Sequence, residues 1–125
     1  MTHHNLYFTK THEWVLPQEG VVGISNYAQG RLGDIVYIEL TAKGKDVKKG
    51  DVIAVIESVK TTSDIYAPCD GKVVDLNPEV VSNPALINQD PEGSGWIIKM
   101  EIKDFSSEGL MKKEEYEEYI KTISE

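Results

Sequence analysis

The sequence predicts a mainly β fold, a sandwich or barrel of short strands with a few short helices and a helix at the C-terminus. Three observations carry that prediction. Residues 35–40, 52–56, 72–76 and 96–102 are short runs rich in Val, Ile or aromatic side chains, types that fit a pleated, half-buried surface. Turn chemistry separates them: Gly44, Lys49-Gly50-Asp51, Pro68-Cys69-Asp70-Gly71 and Gly93-Ser94-Gly95. The chain has 125 residues, 40% of them hydrophobic and 27% charged, which suits one folded domain over residues 1–125.

Taken in order, the start of the chain has neither a charged-then-apolar signal pattern nor an Arg- and Ser-rich transit pattern. His3-His4 before Asn5-Leu6-Tyr7-Phe8 is read as native or mature sequence without chemistry. Ser25 is placed to cap a short helix through Asn26, Tyr27, Ala28 and Gln29, closed by Gly30 or Gly33. Residues 52–56 are apolar at every position, which predicts a strand covered on both faces. A turn of helix is expected after Pro84 through Ala85, Leu86 and Ile87. Residues 96–102 alternate at Ile98, Met100 and Ile102, so one face should be buried. In the tail, Tyr116, Tyr119, Ile120 and Ile123 recur at helical spacing and predict a closing helix over about 112–124. Its other face carries Glu114, Glu115, Glu117, Glu118 and Lys121, read as a solvated surface. Lys49-Gly50-Asp51-Val52-Ile53 faintly echoes Asp70-Gly71-Lys72-Val73-Val74, too short to establish a repeat.

Charge and composition exclude several functions. Thirteen Lys+Arg against twenty-one Asp+Glu leave a net charge of −8, with Arg31 the one arginine. Phosphate binding needs clustered cations, so nucleic acid is not expected as a partner. The apolar runs are too short to span a bilayer. A single cysteine, Cys69, rules out an internal disulfide and a multi-cysteine zinc site. There is no phosphate-cradling Gly-Lys loop, nucleophile elbow or zincin helix, and Gly20-Val21-Val22-Gly23 has too few glycines for a dinucleotide loop. His12 reads as a hydrogen-bonded structural histidine, its side chain on the opposite strand face from Glu13. Cys69 reads as an ordinary thiol in a turn. No catalytic or metal-binding set is expected.

One segment resists a purely structural account. Residues 52–56 run into Glu57-Ser58-Val59-Lys60-Thr61-Thr62-Ser63-Asp64 and then Ile65-Tyr66-Ala67-Pro68. Two strand-like arms flank a polar tip, with Lys60 near its apex. A lone lysine is commonly just a solvated charge. At neutral pH its amine is protonated, neither base nor nucleophile, so a functional Lys60 would serve as an attachment point. Glu57 and Asp64 bracket the tip and carry two readings, recognition elements for a modifying enzyme or charges that keep a hairpin soluble.

At this point the sequence resembles the glycine cleavage system H protein family over essentially its whole length. The similarity lies in Thr9-Lys10-Thr11-His12-Glu13-Trp14-Val15, Val22-Gly23-Ile24-Ser25-Asn26-Tyr27-Ala28-Gln29 and Leu32-Gly33-Asp34-Ile35-Val36-Tyr37. It continues through Glu57-Ser58-Val59-Lys60 with Thr62-Ser63-Asp64, then Gly95-Trp96-Ile97-Ile98-Lys99 and the Leu110-Met111 to Tyr116 tail. Departures are small: Thr61 stands where the family often has alanine, and Thr41 where it often has proline.

The resemblance implies a lipoyl/biotinyl-type flattened β-sandwich, the barrel-sandwich hybrid, with lipoate in amide linkage to Lys60. Glu57, Ser58, Val59 and Asp64 would be read by a lipoate ligase or a lipoyl/octanoyl transferase. The implied role is a non-catalytic carrier of the aminomethyl group of glycine. It would be loaded by the pyridoxal-phosphate glycine decarboxylase, unloaded by the tetrahydrofolate-dependent aminomethyltransferase, and reoxidised by dihydrolipoyl dehydrogenase. The loaded arm would fold into a cleft where Thr11, Glu13 and Asp64 contact the amine and Ile24 lines the apolar path. Glu13 as a surface strand residue and Asp64 as a turn stabiliser are the plainer readings. The acidic chain is expected to be a cytoplasmic monomer (in the mitochondrial matrix if it is a mature eukaryotic chain) that forms transient, salt-sensitive complexes. A biotin carrier would set its lysine between methionines, whereas Val59 and Thr61 stand here. Two alternatives share the lysine: a relay that hands lipoate to other proteins, and the lipoyl domain of a 2-oxoacid dehydrogenase complex.

Overall fold

The computed structural model describes residues 5–123. His3-His4, and Ser124 at the end of the expected closing helix, lie outside the described residues. In chain order the elements are β1 (Tyr7–Phe8), β2 (Glu13–Leu16), β3 (Val21–Ile24), α1 (Asn26–Leu32), β4 (Ile35–Leu40), β5 (Asp46–Val47) and β6 (Val52–Ser58). There follow β7 (Thr62–Tyr66), β8 (Gly71–Leu76), α2 (Pro78–Ser82), α3 (Ala85–Gln89), β9 (Ile98–Glu101) and α4 (Lys113–Ile123). The strands form two antiparallel sheets and no closed barrel, one ordered β1-β2-β3-β9-β8-β5 and the other β4-β6-β7.

One core joins the sheets. Val15, Val22, Val73, Ile98 and Met100 of the larger sheet share it with Ile35, Ile38, Ala54, Ile56 and Ile65 of the smaller. A second cluster gathers Leu6, Phe8, Trp14, Leu16, Val21 and Tyr116, with Tyr119 and Ile120 packed against it. Side chains alternate along a strand, so β2 sends Val15 into the first core and Trp14 and Leu16 into the second. All four β2 residues are therefore buried. The second cluster is what α4 covers, and it leaves Gly23 no room for a side chain. A Cβ there would stand 2.7 Å from the Trp14 indole, and Trp14 pairs with Gly23 across the strands.

The expected strands 35–40 and 72–76 and the helix after Pro84 are present. Ser25 caps α1, its Oγ accepting from the Ala28 amide at 3.1 Å, and Gly33 rather than Gly30 closes it with φ 83°. Three expectations need correction. The strand at 52–56 is not covered on both faces, because Val52 is exposed and Val55 half-buried. A register shift between Val52 and Ala54 lets Ile53 and Ala54 both turn inward, and the outer face of a three-stranded sheet meets water. The alternating strand is shorter than 96–102, since Trp96 and Ile97 precede the ladder and Ile102 follows it. Finally, the apolar stripe of α4 ends early. Tyr116 is buried and Tyr119 and Ile120 half-buried, but Ile123 is 41% exposed beyond the edge of the sheet's cover. Strands β1, β3 and β5 and helix α2 were not anticipated, being two to five residues long, and the strand expected at His12-Glu13 begins only at Glu13, as β2.

Candidate functional site

β6 and β7 pair from Val52↔Tyr66 to Glu57↔Thr62, and the turn between them holds Val59, Lys60 and Thr61. Ser58 closes this turn. Its amide donates to the Thr61 carbonyl at 2.8 Å, and its Oγ accepts from the amides of Lys60 (3.3 Å) and Thr61 (3.1 Å). A serine hydroxyl can replace backbone partners in this way. The Val59 amide donates to the Asp34 carbonyl at 3.0 Å, which ties the tip to the loop after α1. Lys60 and Val59 are exposed, Val59 by 69%. The Lys60 stem passes over Gly33, where a Cβ would lie 3.5 Å from Lys60 Cε. Among the described residues no ion pair engages the Lys60 ammonium. The tip thus fits what a covalently attached acyl group requires, a free amine on a rigid projection.

Glu57 and Asp64 are exposed. The ladder places Glu57 beside Thr62 and Asp64 beside Val55, so both acids share the outer face of the smaller sheet. Val59 lies in the turn itself. Of the four residues expected to be read during attachment, Ser58 alone is buried, and it holds the turn.

Farther along β7 sits a second cluster. Glu13 is 2% exposed. Its Oε1 accepts from Thr9 Oγ1 at 2.7 Å and Thr11 Oγ1 at 2.5 Å, and its Oε2 accepts from the Tyr66 amide at 3.0 Å. Burial pushes the Glu13 carboxyl above its ordinary range, and these hydrogen bonds oppose the shift in part. Glu13 is therefore an interior carboxylate with partners on both oxygens, not a surface strand residue. Thr11 is exposed and borders a cavity of about 450 Å³ that Tyr66, Ala67, Lys49 and Gly109 also line. The structure brings Thr11 and Glu13 together. Ile24 pairs with Glu13 across β2 and β3 but belongs to the core, only 5% exposed. Asp64 stands on β7 two residues before Tyr66, on the solvent side, with no hydrogen bond to Glu13 among those of the described residues. From Thr62 to Tyr66 the strand rises about 13 Å, which separates the Glu13 cluster from the lysine tip.

His12 precedes β2 with φ 78°, so its side chain leaves Glu13 behind and meets α4. Its Nδ1 lies 2.7 Å from Tyr116 Oη, which lies 2.6 Å from Ser25 Oγ. Sequence reasoning counted Tyr116 as apolar and Ser25 as a cap, and so missed this chain of polar contacts. The hydroxyl on an otherwise apolar stripe was the available signal. Burial, with the Arg31 cation, holds His12 below the ordinary imidazole range, and burial raises the Tyr116 phenol. Cys69 is buried and its thiol is pushed up to about 11 by burial and by Asp70, which leaves it protonated and inert at neutral pH. Among the described residues no group of three or more His, Cys, Asp or Glu could hold a metal ion, and no helix is long and apolar enough to cross a membrane.

The depressed His12 value sets a pH dependence. Below the ordinary imidazole value of about 6.5 the unfolded chain takes up a proton that the folded chain resists, so stability falls as pH falls. His12→Asn, which tolerates positive φ and does not titrate, is expected to flatten the wild-type fall in melting temperature as pH drops below about 6.5. Thermal melts across that range check it, and identical slopes would contradict it. Glu13, raised rather than lowered, contributes with the opposite sign, but it is common to both proteins.

A small two-sheet β domain that presents one lysine on a serine-locked hairpin tip is the build of a carrier domain. The profile of the glycine cleavage H-protein family matches residues 6–123, and the chain belongs to that family. It is 51% identical over 115 residues to the glycine cleavage system H protein of Thermotoga maritima, covering 90% of this chain and 93% of that one. The Thermus thermophilus protein of the same name is 47% identical over 119 residues, 93% of each chain. Among solved structures, the crystal structure of a glycine cleavage system H protein from Mycobacterium marinum superposes with a TM-score of 0.83 at 31% identity, over 95% of this chain and 98% of that one. Family membership supports a lipoyl-carrier role.

Proposed function

We propose that the chain carries lipoate on Lys60 and serves the glycine cleavage system as its mobile carrier. In that role it takes the one-carbon amine of glycine from a pyridoxal-phosphate decarboxylase to a tetrahydrofolate-dependent aminomethyltransferase, and dihydrolipoyl dehydrogenase reoxidises it. A lipoate ligase or a lipoyl/octanoyl transferase would attach the group, and the working compartment would be the cytoplasm. The observation that carries this reading is the exposed Lys60 amine, in no ion pair among the described residues, on a tip fixed by Ser58 and Asp34. When bound, lipoate supplies a disulfide that can be opened, loaded and closed again.

The chain's own residues do the rest. Ser58 keeps the tip from collapsing, so that Lys60 projects towards a modifying enzyme. Glu57 and Asp64 give the same face negative charge, suited to steering a basic rim on a partner. Thr11 borders the cavity, and its hydroxyl proton is committed to Glu13. Its oxygen lone pairs are left to accept from an amine cation, with the Glu13 charge directly behind. Ile24 and its core neighbours back this region without reaching the surface.

The test is reconstitution. Lipoylated protein, identified by intact mass, is mixed with glycine decarboxylase, and glycine-dependent exchange of labelled bicarbonate into glycine is measured. Exchange that requires the lipoyl adduct supports the proposal. Full lipoylation without exchange would remove the glycine-cleavage role and favour a relay of lipoate to other proteins.

A further inference from the structure

His12 is the one non-glycine residue among the described residues with φ in the left-handed region. That conformation disfavours any residue with a Cβ, and it persists where surrounding contacts impose it. Those contacts are explicit. The His12 amide donates to the Thr9 carbonyl at 3.1 Å, and the Thr9 amide donates to the Glu13 carbonyl at 2.9 Å. The His12 carbonyl accepts from the Ser25 amide at 2.9 Å. The imidazole is anchored to Tyr116 Oη, and Tyr116 itself is 2% exposed and stacked on Phe8 with ring centroids 4.4 Å apart. Residues 9–12 are thereby held in the turn that aims the Thr9 and Thr11 hydroxyls at one oxygen of Glu13.

We infer that the closing helix is a positioning device: Tyr116 on α4, through His12, holds the reversed backbone that presents Thr11, backed by the buried Glu13, to the cavity beside Tyr66. Neither His12 nor Tyr116 borders that cavity, so both act through Thr11 and Glu13. The consequence for the carried amine rests on the function proposed above, whereas the positioning itself does not.

The test uses the full chain with 13C-labelled glutamate, and follows the Glu13 carboxyl by NMR titration. Tyr116→Phe removes the hydroxyl and keeps the ring. His12→Gly tolerates the reversed backbone without strain but removes the imidazole that anchors it to Tyr116. His12→Asn keeps both the tolerance for positive φ and a polar atom near the position of Nδ1. The inference expects His12→Gly and Tyr116→Phe to loosen the Thr9 and Thr11 hydrogen bonds to the carboxyl and so move the Glu13 midpoint by about half a unit or more, with His12→Asn close to wild type. An unchanged Glu13 midpoint in folded His12→Gly would overturn it even if Tyr116→Phe failed to fold. A second readout is formaldehyde release from the lipoylated, glycine-loaded protein, expected to rise several-fold in His12→Gly and in Glu13→Ala. If Glu13→Ala leaves release unchanged while the NMR midpoint still moves in His12→Gly, the role proposed for Glu13 fails and the positioning stands.

Discussion

Lys60→Arg is expected to abolish lipoylation completely while leaving the fold intact. Attachment needs an amine that can lose a proton and be acylated by an activated lipoyl carboxyl, and a guanidinium is a delocalised cation that does neither under these conditions. The fold should not notice, because the tip is held through the Lys60 amide and Ser58 rather than through the ammonium. Positive charge is retained, so electrostatics at the tip are unchanged in sign. Incubation with lipoate, ATP and a lipoate ligase, followed by intact mass and peptide mapping, reads the outcome. Lipoyl adducts on any other lysine of the variant would show that Lys60 is not the sole acceptor.

Gly20→Ala is expected to give the largest loss of stability among glycine replacements here. Gly20 has φ 68°, and an added Cβ would fall inside the van der Waals envelope of the Met100 carbonyl oxygen. The two strands cannot simply part, since the Met100 amide donates to the Gly20 carbonyl at 2.7 Å. Left-handed strain and backbone overlap together should cost about 3 kcal/mol, a drop on the order of 10 °C in melting temperature for a chain of this size. Gly30→Ala supplies the contrast. It lies inside α1 with no atom within 4 Å of a Cβ, so the substitution should stabilise by up to about 1 kcal/mol. Thermal unfolding of the two variants checks both signs, and a Gly20→Ala melt within about 2 °C of wild type would refute the steric account.

Much of the architecture was legible because it rests on local chemistry. Ile35–Leu40 carries β-branched and aromatic residues at strand length, Ser25 supplies a cap, and Tyr116, Tyr119 and Ile120 keep helical spacing. The two-residue strands β1 and β5 could not be read, since two residues have no periodicity. Residues 52–56 misled for a related reason. An unbroken apolar run does not reveal a bulge, and the register shift that turns Ile53 and Ala54 to the same side arises only when β6 meets its neighbour.

The sequence by itself determined the β class, the closing helix, the acidic charge and the lysine between two strand-forming arms, and its motifs in order pointed to the H-protein family. Those features depend on residue type and spacing along the chain. Only the tertiary structure decided that Glu13 is an interior carboxylate, that Gly20 and Gly23 make room for Met100 and Trp14, and that His12, Tyr116 and Ser25 form one chain of contacts. Tyr116 is 104 residues from His12 and 91 from Ser25. No local pattern encodes such a meeting, because it exists only once α4 has packed on the sheet and excluded the water that would otherwise satisfy each group alone.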